Sequence, residues 1–236
     1  MPHRRGLTMV EALVAMVALT ILAALLLPAL ASRPIRTGCY INNTQLRGIH
    51  QAMVMYAQGN GGHFPGLDRH GDPAALAVEN RLKILLDDNY FTPEYLVSPN
   101  ETDPAIHEWQ PGSAFTADNH SYALLQVPAA GGRHAEWSET LNTEAIVMSD
   151  RNTGTSANPA SIYSGQPIAD RHRPPYAWHQ RRHGPGWSGV VVRNDNSTAF
   201  ETTHRHPTNY AGLAHRDDHL FDAAGDNDAY LTHSGN

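Results

Sequence analysis

The stretch that decides the fold is GLTMVEALVAMVALTILAALLLPALA, residues 6–31. From Leu7 to Ala31 it runs for 25 residues with a single charged side chain, Glu11. An α-helix rises about 1.5 Å per residue, so roughly 20 apolar residues cross the hydrocarbon core of a bilayer. The length and composition of residues 7–31 therefore predict a membrane-spanning helix.

A short basic leader precedes this helix. It contains Arg4 and Arg5, and basic residues beside a span stay on the cytoplasmic side, which sends the rest of the chain outward. The apolar stretch is longer than the core of an ordinary signal peptide, which has about 7–15 residues. However, Ala29-Leu30-Ala31 offers a small-x-small cleavage site. An uncleaved anchor and a cleaved export signal are therefore both open.

The overall composition excludes several functional classes. Among 236 residues, 17 Lys and Arg stand against 23 Asp and Glu, a formal net charge of −6, so no nucleic-acid partner is expected. The single cysteine, Cys39, excludes an intrachain disulfide framework. The only lysine, Lys83, does not follow a glycine-rich loop, which excludes a P-loop.

Glu11 is unusual because a carboxylate within a membrane span costs a few kcal/mol or more, and such residues generally serve a function. A basic leader, Gly6 before apolar Leu7, then Thr8 and Glu11 at the start of a long apolar helix resemble the type IV pilin and type II secretion pseudopilin family. The resemblance implies that a prepilin peptidase cleaves between Gly6 and Leu7 and methylates the new amine of Leu7. It also implies that Glu11 pairs with the terminal amine of a neighbouring subunit during assembly.

The same resemblance implies a pilin-like α+β fold. A long N-terminal α-helix, transmembrane and then amphipathic, would pack on a small antiparallel β-sheet head. The expected organisation is a prepilin leader (1–6), a transmembrane and filament-core helix (7–31), an amphipathic helix (32–60) and a globular head with a loop-rich, acidic and His-rich tail (61–236). Pro28 would kink the first helix as subunits pack, or would simply mark the membrane exit.

The resemblance also implies partners and a location. The partners are the prepilin peptidase, other pilin or pseudopilin subunits in a helical filament, and an inner-membrane assembly platform. The subunit would cross the bacterial inner membrane once, with its head in the periplasm, before joining a periplasmic or cell-surface filament.

The second helix carries its own pattern. Leu46, Ile49, Met53 and Tyr56 fall at helical spacing on one face, and the glycines of 59–62 end the helix. The segment 39–65 resembles a subgroup of pilin-like proteins abundant in planctomycete-type bacteria. The matching residues are Cys39, Asn42, Asn43, Leu46, Gly48, Tyr56, Phe64 and Pro65, with Gln45 one place early.

That subgroup carries a His-x9-Asp-Gly signature in a C-terminal hairpin. Here His183 precedes Asp195 by twelve positions, and Asn196 replaces the glycine. Asn can adopt the left-handed backbone geometry that Gly takes in turns. Apolar runs predict strands at Ser121–Val127 and Glu144–Ser149, and a hairpin of Gly189–Val192 with Thr198–Glu201. Residues 81–87 predict a short helix.

Two clusters of potential metal ligands lie near the C-terminus. Oxygen ligands crowd the acidic stretch in a way that suits calcium, although a solvated acidic loop is the alternative. The carboxylates are Asp217, Asp218, Asp222, Asp226 and Asp228. A weaker zinc hypothesis rests on His204, His206, His215 and His219.

Two other functional classes compete with the filament subunit. One is a Sec-exported or membrane-anchored surface or periplasmic binding protein, which would recognise polysaccharide or a metal through its His, Arg and Trp loops. One such loop combines the Arg and His residues of 171–183 with Trp187, and the alternative for it is a surface loop whose arginines pair with the acidic tail. The other is a hydrolase on the same export route. No complete enzyme signature is present, since Gly186-Trp187-Ser188-Gly189 is one residue short of Gly-x-Ser-x-Gly. The sequence therefore predicts a protein that is not an enzyme.

Overall fold

The computed structural model describes residues 9–31, 35–127, 137–139, 142–163, 186–210, 213–223 and 230–234. The chain divides into two compact units, Met1–Thr37 and Gly38–Asn236. The class is α+β with an antiparallel sheet, as the sequence predicts.

The first unit contains helix α1, Met9–Ala31. Its sequence is apolar on all sides, and many of its large side chains are exposed, namely Met9, Val10, Leu13, Val14, Met16, Val17, Leu19 and Leu22. Of the helices in the described ranges, none is both long and apolar enough to cross a membrane. The predicted span begins at Leu7, outside the described residues, and stays a prediction.

Helix α2, Ile35–Gly59, lies within the segment predicted to be amphipathic. Leu46, Ile49 and Met53 are completely or almost completely buried, and Tyr56 packs partly buried against the same core. The helix ends where the backbone turns left-handed at Gly61 and Gly62, with φ of 70° and 90°. The apolar face that the sequence predicts is therefore the face buried in the head.

Helix α3, Val78–Asp87, confirms the predicted short helix and begins three residues before it. Leu82, Leu85 and Leu86 bury its apolar face. A left-handed Asn89, with φ 57°, follows its C-terminus. The backbone N–H groups of Asn89 and Tyr90 donate to the carbonyls of Leu86 and Leu85, which satisfies carbonyls at the end of the helix.

Five strands form the main sheet in the order β4-β3-β2-β1-β7, with every neighbouring pair antiparallel. Their bounds are β1 Tyr122–Leu125, β2 Ile146–Asp150, β3 Gly189–Arg193, β4 Thr198–Glu201 and β7 Leu231–Thr232. The predicted strands are confirmed, with small shifts at their ends. β1 and β2 are buried along their whole length, so the centre of the sheet is covered on both faces.

The β3–β4 hairpin also follows the sequence prediction. Val192 pairs with Thr198, and the connecting turn is closed by N–H bonds from Asn196 to the carbonyl of Arg193 and from Arg193 to the carbonyl of Ser197. Asn196 has φ 63°, the left-handed conformation predicted for it. His183, the other end of the stretched signature, lies outside the described residues.

The C-terminal region contains more regular structure than the predicted loop-rich tail. Strands β5, Arg205–Tyr210, and β6, Leu213–His219, form a separate two-stranded antiparallel sheet. Leu220, Phe221 and Leu231 enter the hydrophobic core. The sequence did not predict β5 and β6, because the few apolar residues of this region are isolated and do not alternate regularly with polar ones.

The turn after α2 is fixed by a tryptophan that lies more than 70 positions later. The indole N–H of Trp137 donates to the carbonyl of Pro65 at 2.7 Å. The Phe64 backbone N–H donates to the Trp137 carbonyl, and the two rings meet edge to face with centroids 5.3 Å apart. The Phe-Pro part of the subgroup motif thus anchors the end of α2 in the core.

Candidate functional site

The predicted assembly residue lies at the start of the described chain. Glu11 is exposed in the first turn of α1, among exposed apolar side chains. The predicted cleavage residues Gly6 and Leu7 lie outside the described residues.

Pro28 lies within α1, which continues beyond it to Ala31. Proline removes one backbone hydrogen bond and crowds the preceding turn of a helix. The helix therefore does not end at Pro28, and its role as a kink stays a prediction.

The predicted calcium ligands are only partly described. Asp217 and Asp218 are neighbours on β6, so strand alternation directs their side chains to opposite faces. Exposed Asp217 pairs with Arg205 at 3.3 Å, whereas buried Asp218 accepts from the hydroxyl of Thr208 at 2.5 Å. Asp222 is exposed. In the part of the chain that the structure describes, no group of three or more His, Cys, Asp or Glu is placed to hold a metal ion.

Asp226 and Asp228 lie outside the described residues, so the calcium hypothesis stays a prediction. Of the predicted zinc ligands, His204 and His219 approach each other, with ring centroids 4.4 Å apart. His206 instead bonds to the Thr203 carbonyl through Nε2 at 2.6 Å. His204 lies immediately before β5, and His206 and His219 lie on β5 and β6.

Trp187 belongs to the candidate polymer-binding loop, but the structure shows that its side chain is not available for binding. Trp187 is completely buried, its ring meets Phe221 edge to face at 5.2 Å, and its indole N–H donates to the Arg151 carbonyl at 3.3 Å. The basic residues that were expected to share the loop, 171–183, lie outside the described residues.

A buried polar network joins α2 to the sheet. The Asn42 side-chain N–H donates to Asp150 Oδ1 at 2.8 Å and to Tyr163 Oη at 3.0 Å. The Asn42 carbonyl oxygen accepts from the hydroxyl of Tyr122 at 2.9 Å, and that hydroxyl also lies 3.2 Å from Gln45 Oε1. Asn42 therefore uses both halves of its amide to connect α2 with β1, with β2 and with the segment around Tyr163.

Asp150 is the acceptor at the centre of this network. Its Oδ2 accepts from the hydroxyl of Tyr163 at 3.0 Å and from the backbone N–H of Val190 at 2.7 Å. Burial raises the pKa of Asp150 to about 6, although the bonds from Val190, Asn42 and Tyr163 oppose that rise. The neighbouring charge of Glu101 raises the pKa further.

A largely buried ion pair lies beside this network. Arg151 donates from Nε and Nη2 to the two carboxylate oxygens of Glu101 at 2.9 and 3.0 Å, and Nη2 also reaches Asp103 at 3.2 Å. Burial works to raise the pKa of Glu101, but hydrogen bonds and the charge of Arg151 hold it below its usual value. This bidentate geometry is the strong form of an Arg–carboxylate pair.

An open pocket of about 400 Å³ lies between the loop after β2 and the C-terminal strand. Its lining is Ala123, Asn152, Gly154, Thr155, Ser156, Phe221, Tyr230, Leu231, Thr232 and His233. Behind it, His233 Nε2 bonds to the carbonyl of His120, and the two rings lie 4.5 Å apart. Burial lowers the pKa of both histidines. The side chain of Asn152 is engaged within its own loop, where its Oδ1 accepts from the N–H groups of Gly154 and Ala160.

Sequence reasoning missed Asp150, Tyr163, Arg151 and Glu101. Asp150 ends a predicted strand, and Tyr163 lies in a polar segment without periodicity. Asn42 was singled out as a motif residue, but nothing in the sequence identifies its partner 108 positions away. The one signal in the sequence that pointed to this network was the polar pair Ser149-Asp150 at the end of an apolar strand.

Comparison with known proteins finds a match for one region of the chain, its N-terminal segment. Residues 1–27 match the family model described as the prokaryotic N-terminal methylation motif. No curated protein and no solved structure matches the chain. The motif implies processing by a prepilin peptidase and assembly with other pilin subunits, and it supports a type IV pilin-like or pseudopilin role.

Proposed function

We propose that this protein is a structural subunit, a pseudopilin or minor pilin, of a type II secretion or type IV pilus-like filament. The observation that carries the proposal is the match of residues 1–27 to the prokaryotic N-terminal methylation motif. The matched region contains the predicted cleavage residues Gly6 and Leu7 and the predicted assembly residue Glu11. The proposed role is mechanical, and the chain itself catalyses no reaction.

Processing prepares the subunit for assembly. Cleavage after Gly6 leaves a positively charged amine on Leu7, and methylation retains this charge. The carboxylate of Glu11 on a neighbouring subunit then pairs with the amine in the filament core. Burying either charge alone in the filament core costs free energy. The packing register that brings the Glu11 carboxylate to the amine of a neighbouring subunit is therefore more stable than registers that leave the charges unpaired.

The surface of α1 supports this role. The exposed apolar side chains along its described length, from Met9 to Leu22, require cover by lipid or by other subunits. In the proposal, residues 7–31 anchor the subunit in the inner membrane with the head in the periplasm. They then bundle with the same segments of other copies. A head-to-tail interface between identical subunits does not close on itself and generates an open filament.

We assign the head to the pilin-like subgroup with the Cys-x-x-Asn-Asn helix. Two contacts and one backbone conformation support this assignment. Asn42 ties α2 to the sheet, Phe64 and Pro65 dock on Trp137, and Asn196 takes the left-handed position where the subgroup has glycine. Each of these motif residues therefore has a structural reason for its identity.

Mass spectrometry of the mature N-terminus, from membranes of the native host, tests the proposal. A chain beginning at methylated Leu7 is expected. A chain beginning at Ser32 would overturn the proposal and support the exported binding protein. An intact Met1 would also overturn it, since the protein would then be a simple membrane anchor.

A matched pair of variants strengthens this test. Gly6→Val places a branched side chain beside the scissile bond and should abolish cleavage, because glycine alone lets the backbone lie close in a narrow cleft. His3→Ala alters the same leader away from the bond and should be processed normally. Normal processing of Gly6→Val would contradict prepilin-type cleavage.

A further inference from the structure

The open pocket beside β7 lies wholly within the second unit of the chain, Gly38–Asn236. Its volume of about 400 Å³ falls in the range of small-molecule sites, roughly 300–1,000 Å³. One wall is the loop 152–156 and the other is the segment 230–233. The pocket is therefore large enough for a small ligand, and its lining indicates which chemistry would fit.

The first wall is held in place by its own hydrogen bonds. Oδ1 of Asn152 accepts from the N–H groups of Gly154 and Ala160, both at 2.9 Å, and its Nδ2 donates to the Thr155 carbonyl at 3.2 Å. A Cβ at Gly154 would lie 2.2 Å from the carbonyl oxygen of Asn158, so only glycine fits this turn. The loop is thus shaped before any ligand arrives.

The second wall is fixed by the backbone of neighbouring segments. The N–H of Gln126 donates to the Tyr230 carbonyl at 2.8 Å, and the N–H of Leu231 donates to the Leu220 carbonyl at 2.7 Å. With both walls fixed, a ligand would bind without the entropy cost of ordering a loop.

The lining carries no formal charge. Of the described residues that line the pocket, none is Asp, Glu, Lys or Arg. Nε2 of His233 bonds to the His120 carbonyl, which can only accept, so Nε2 carries the proton. Burial lowers the pKa of His233, which keeps its ring neutral at mild pH. A charged ligand would lose hydration here without gaining a counter-charge, so the pocket favours neutral ligands.

The lining combines an apolar floor with hydroxyl-bearing walls. The almost completely buried side chains of the floor are Ala123, Phe221 and Leu231. The hydroxyl groups belong to Thr155, Ser156, Tyr230 and Thr232. A ligand that fills this space must therefore present an apolar surface and several hydrogen-bonding groups together.

Two of these hydroxyl groups are free to bind a ligand. The hydroxyl of Thr155 accepts from the N–H of Asn158, and that of Thr232 donates to a carbonyl of its own segment. Among the residues that the structure describes, no hydrogen bond uses the hydroxyl of Ser156 or of Tyr230. Ser156 and Tyr230 lie on opposite walls, so a ligand between them can contact both.

We propose that this pocket binds a neutral saccharide unit. A sugar ring presents C–H groups, which would pack on the floor at Phe221, and hydroxyl groups, which would bond to Ser156 and Tyr230. Because every hydroxyl both donates and accepts, each of these pairs can form in either direction. The proposal is independent of the filament role, because its test measures binding to the head and requires no assembly.

An NMR titration of the full-length protein tests the proposal. The protein is kept in micelles of a detergent without a sugar head group, because a maltoside would itself compete for the pocket. The probes are glucose, galactose, N-acetylglucosamine, maltose and cellobiose. For at least one probe, the amide resonances of 152–156 and 230–233 should shift in a saturable way, with a Kd on the order of 1 mM.

A charged probe and an internal reference make the titration specific. Glucuronate adds a carboxylate to the glucose framework and should bind about 10-fold more weakly than glucose, because the lining offers no counter-charge. The amides of α3 lie outside the lining and should not respond.

Single-atom variants identify the hydroxyl groups that bind. Ser156→Ala and Tyr230→Phe should each weaken the binding of the responding probe about 5-fold, the effect of losing one neutral hydrogen bond. Thr153→Ala is the matched control, since Thr153 is exposed in the same loop but does not line the pocket. This control should bind as the wild type does.

Several outcomes would overturn the proposal. They are the absence of a saturable shift with every saccharide, an equal response in the α3 amides, and an unchanged affinity in both Ser156→Ala and Tyr230→Phe. Tighter binding of a neutral peptide of serine and glycine with blocked ends than of any saccharide would also overturn it, because the pocket would then be a peptide site.

Discussion

The side-chain amide of Asn42 donates to Oδ1 of Asp150 at 2.8 Å and joins two residues that are 108 positions apart in the chain. Because the amide oxygen simultaneously accepts from Tyr122, α2 contacts two adjacent strands through a single side chain. The orientation of α2 on the sheet therefore depends on polar geometry in addition to apolar packing.

Asn42→Ala should destabilise the head by about 3 kcal/mol, because it removes the donor to the buried Oδ1 of Asp150 and the acceptor of the buried Tyr122 hydroxyl. The free energy of unfolding, measured by urea denaturation of the full-length protein at pH 7, checks this. Thr44→Ala is the matched control on the exposed side of the same helix and should change stability by at most about 0.5 kcal/mol. Equal effects of the two variants would contradict a special role for Asn42.

Gly189→Ala should destabilise the protein by about 2 kcal/mol. A Cβ at this position would lie 2.6 Å from Cζ2 of Trp187 and 2.9 Å from Cβ of Asp150, and neither neighbour is the end of a flexible side chain. Gly59→Ala is the control, since nothing lies within 4 Å of a Cβ there at the end of α2. Thermal unfolding should show a lower Tm for Gly189→Ala and an equal or higher Tm for Gly59→Ala.

Asn196→Gly should preserve stability, whereas Asn196→Val should cost about 1–2 kcal/mol, because φ of 63° disfavours a β-branched residue. Both variants remove the same amide, so their difference isolates the backbone conformation. Chemical denaturation of the pair checks this. Similar losses in both would show that the Asn196 side chain, and not its backbone, matters.

The ion pair of Arg151 with Glu101 should contribute to acid sensitivity. The folded-state pKa of Glu101 lies below its ordinary value of 4.5, so stability from this group is complete above that value and is lost as pH falls through the folded pKa. Glu101→Gln should therefore flatten the decline of stability below about pH 4.5 while lowering stability at pH 7. An unchanged acid profile, measured by Tm against pH, would contradict this assignment.

Glu11→Ala should stop filament assembly while leaving export and processing intact, since the carboxylate is proposed to pair only with a neighbouring subunit. Glu11→Gln should fail equally, because the amide keeps the size but not the charge. Electron microscopy of sheared filaments, together with immunoblots of the processed subunit, checks the outcome. Normal filaments with Glu11→Gln would contradict a role for the charge.

Regular elements were predictable from the sequence because their patterns are local. The stripe of Leu46, Ile49 and Met53 predicted the buried face of α2, and the polar turn between two apolar runs predicted the β3–β4 hairpin. The left-handed turn residue followed from the chemistry of Asn196 alone.

The long-range polar contacts were not predictable, because they depend on which strands become neighbours. In the sequence, Asp150 is simply a polar residue at the end of a predicted strand. Only the folded arrangement of the sheet brings it beside Asn42 and Tyr163. Strands β5 and β6 were missed for another reason. Their residues, such as His206 and Asp218, are polar yet buried, which reverses the hydropathy pattern used to find strands.

The pairing of β1 with β7 governs how the head reaches its native state. Leu125 pairs with Leu231, more than a hundred positions further along the chain, so the outer edge of β1 stays unpaired until this distant segment arrives. Contacts of such high sequence separation slow folding, because the loop-closure entropy is lost before the contact forms. Until β7 arrives, the outer edge of β1 presents unpaired backbone groups, to which an extended segment of another chain can pair, so this stage of folding is the one most exposed to aggregation.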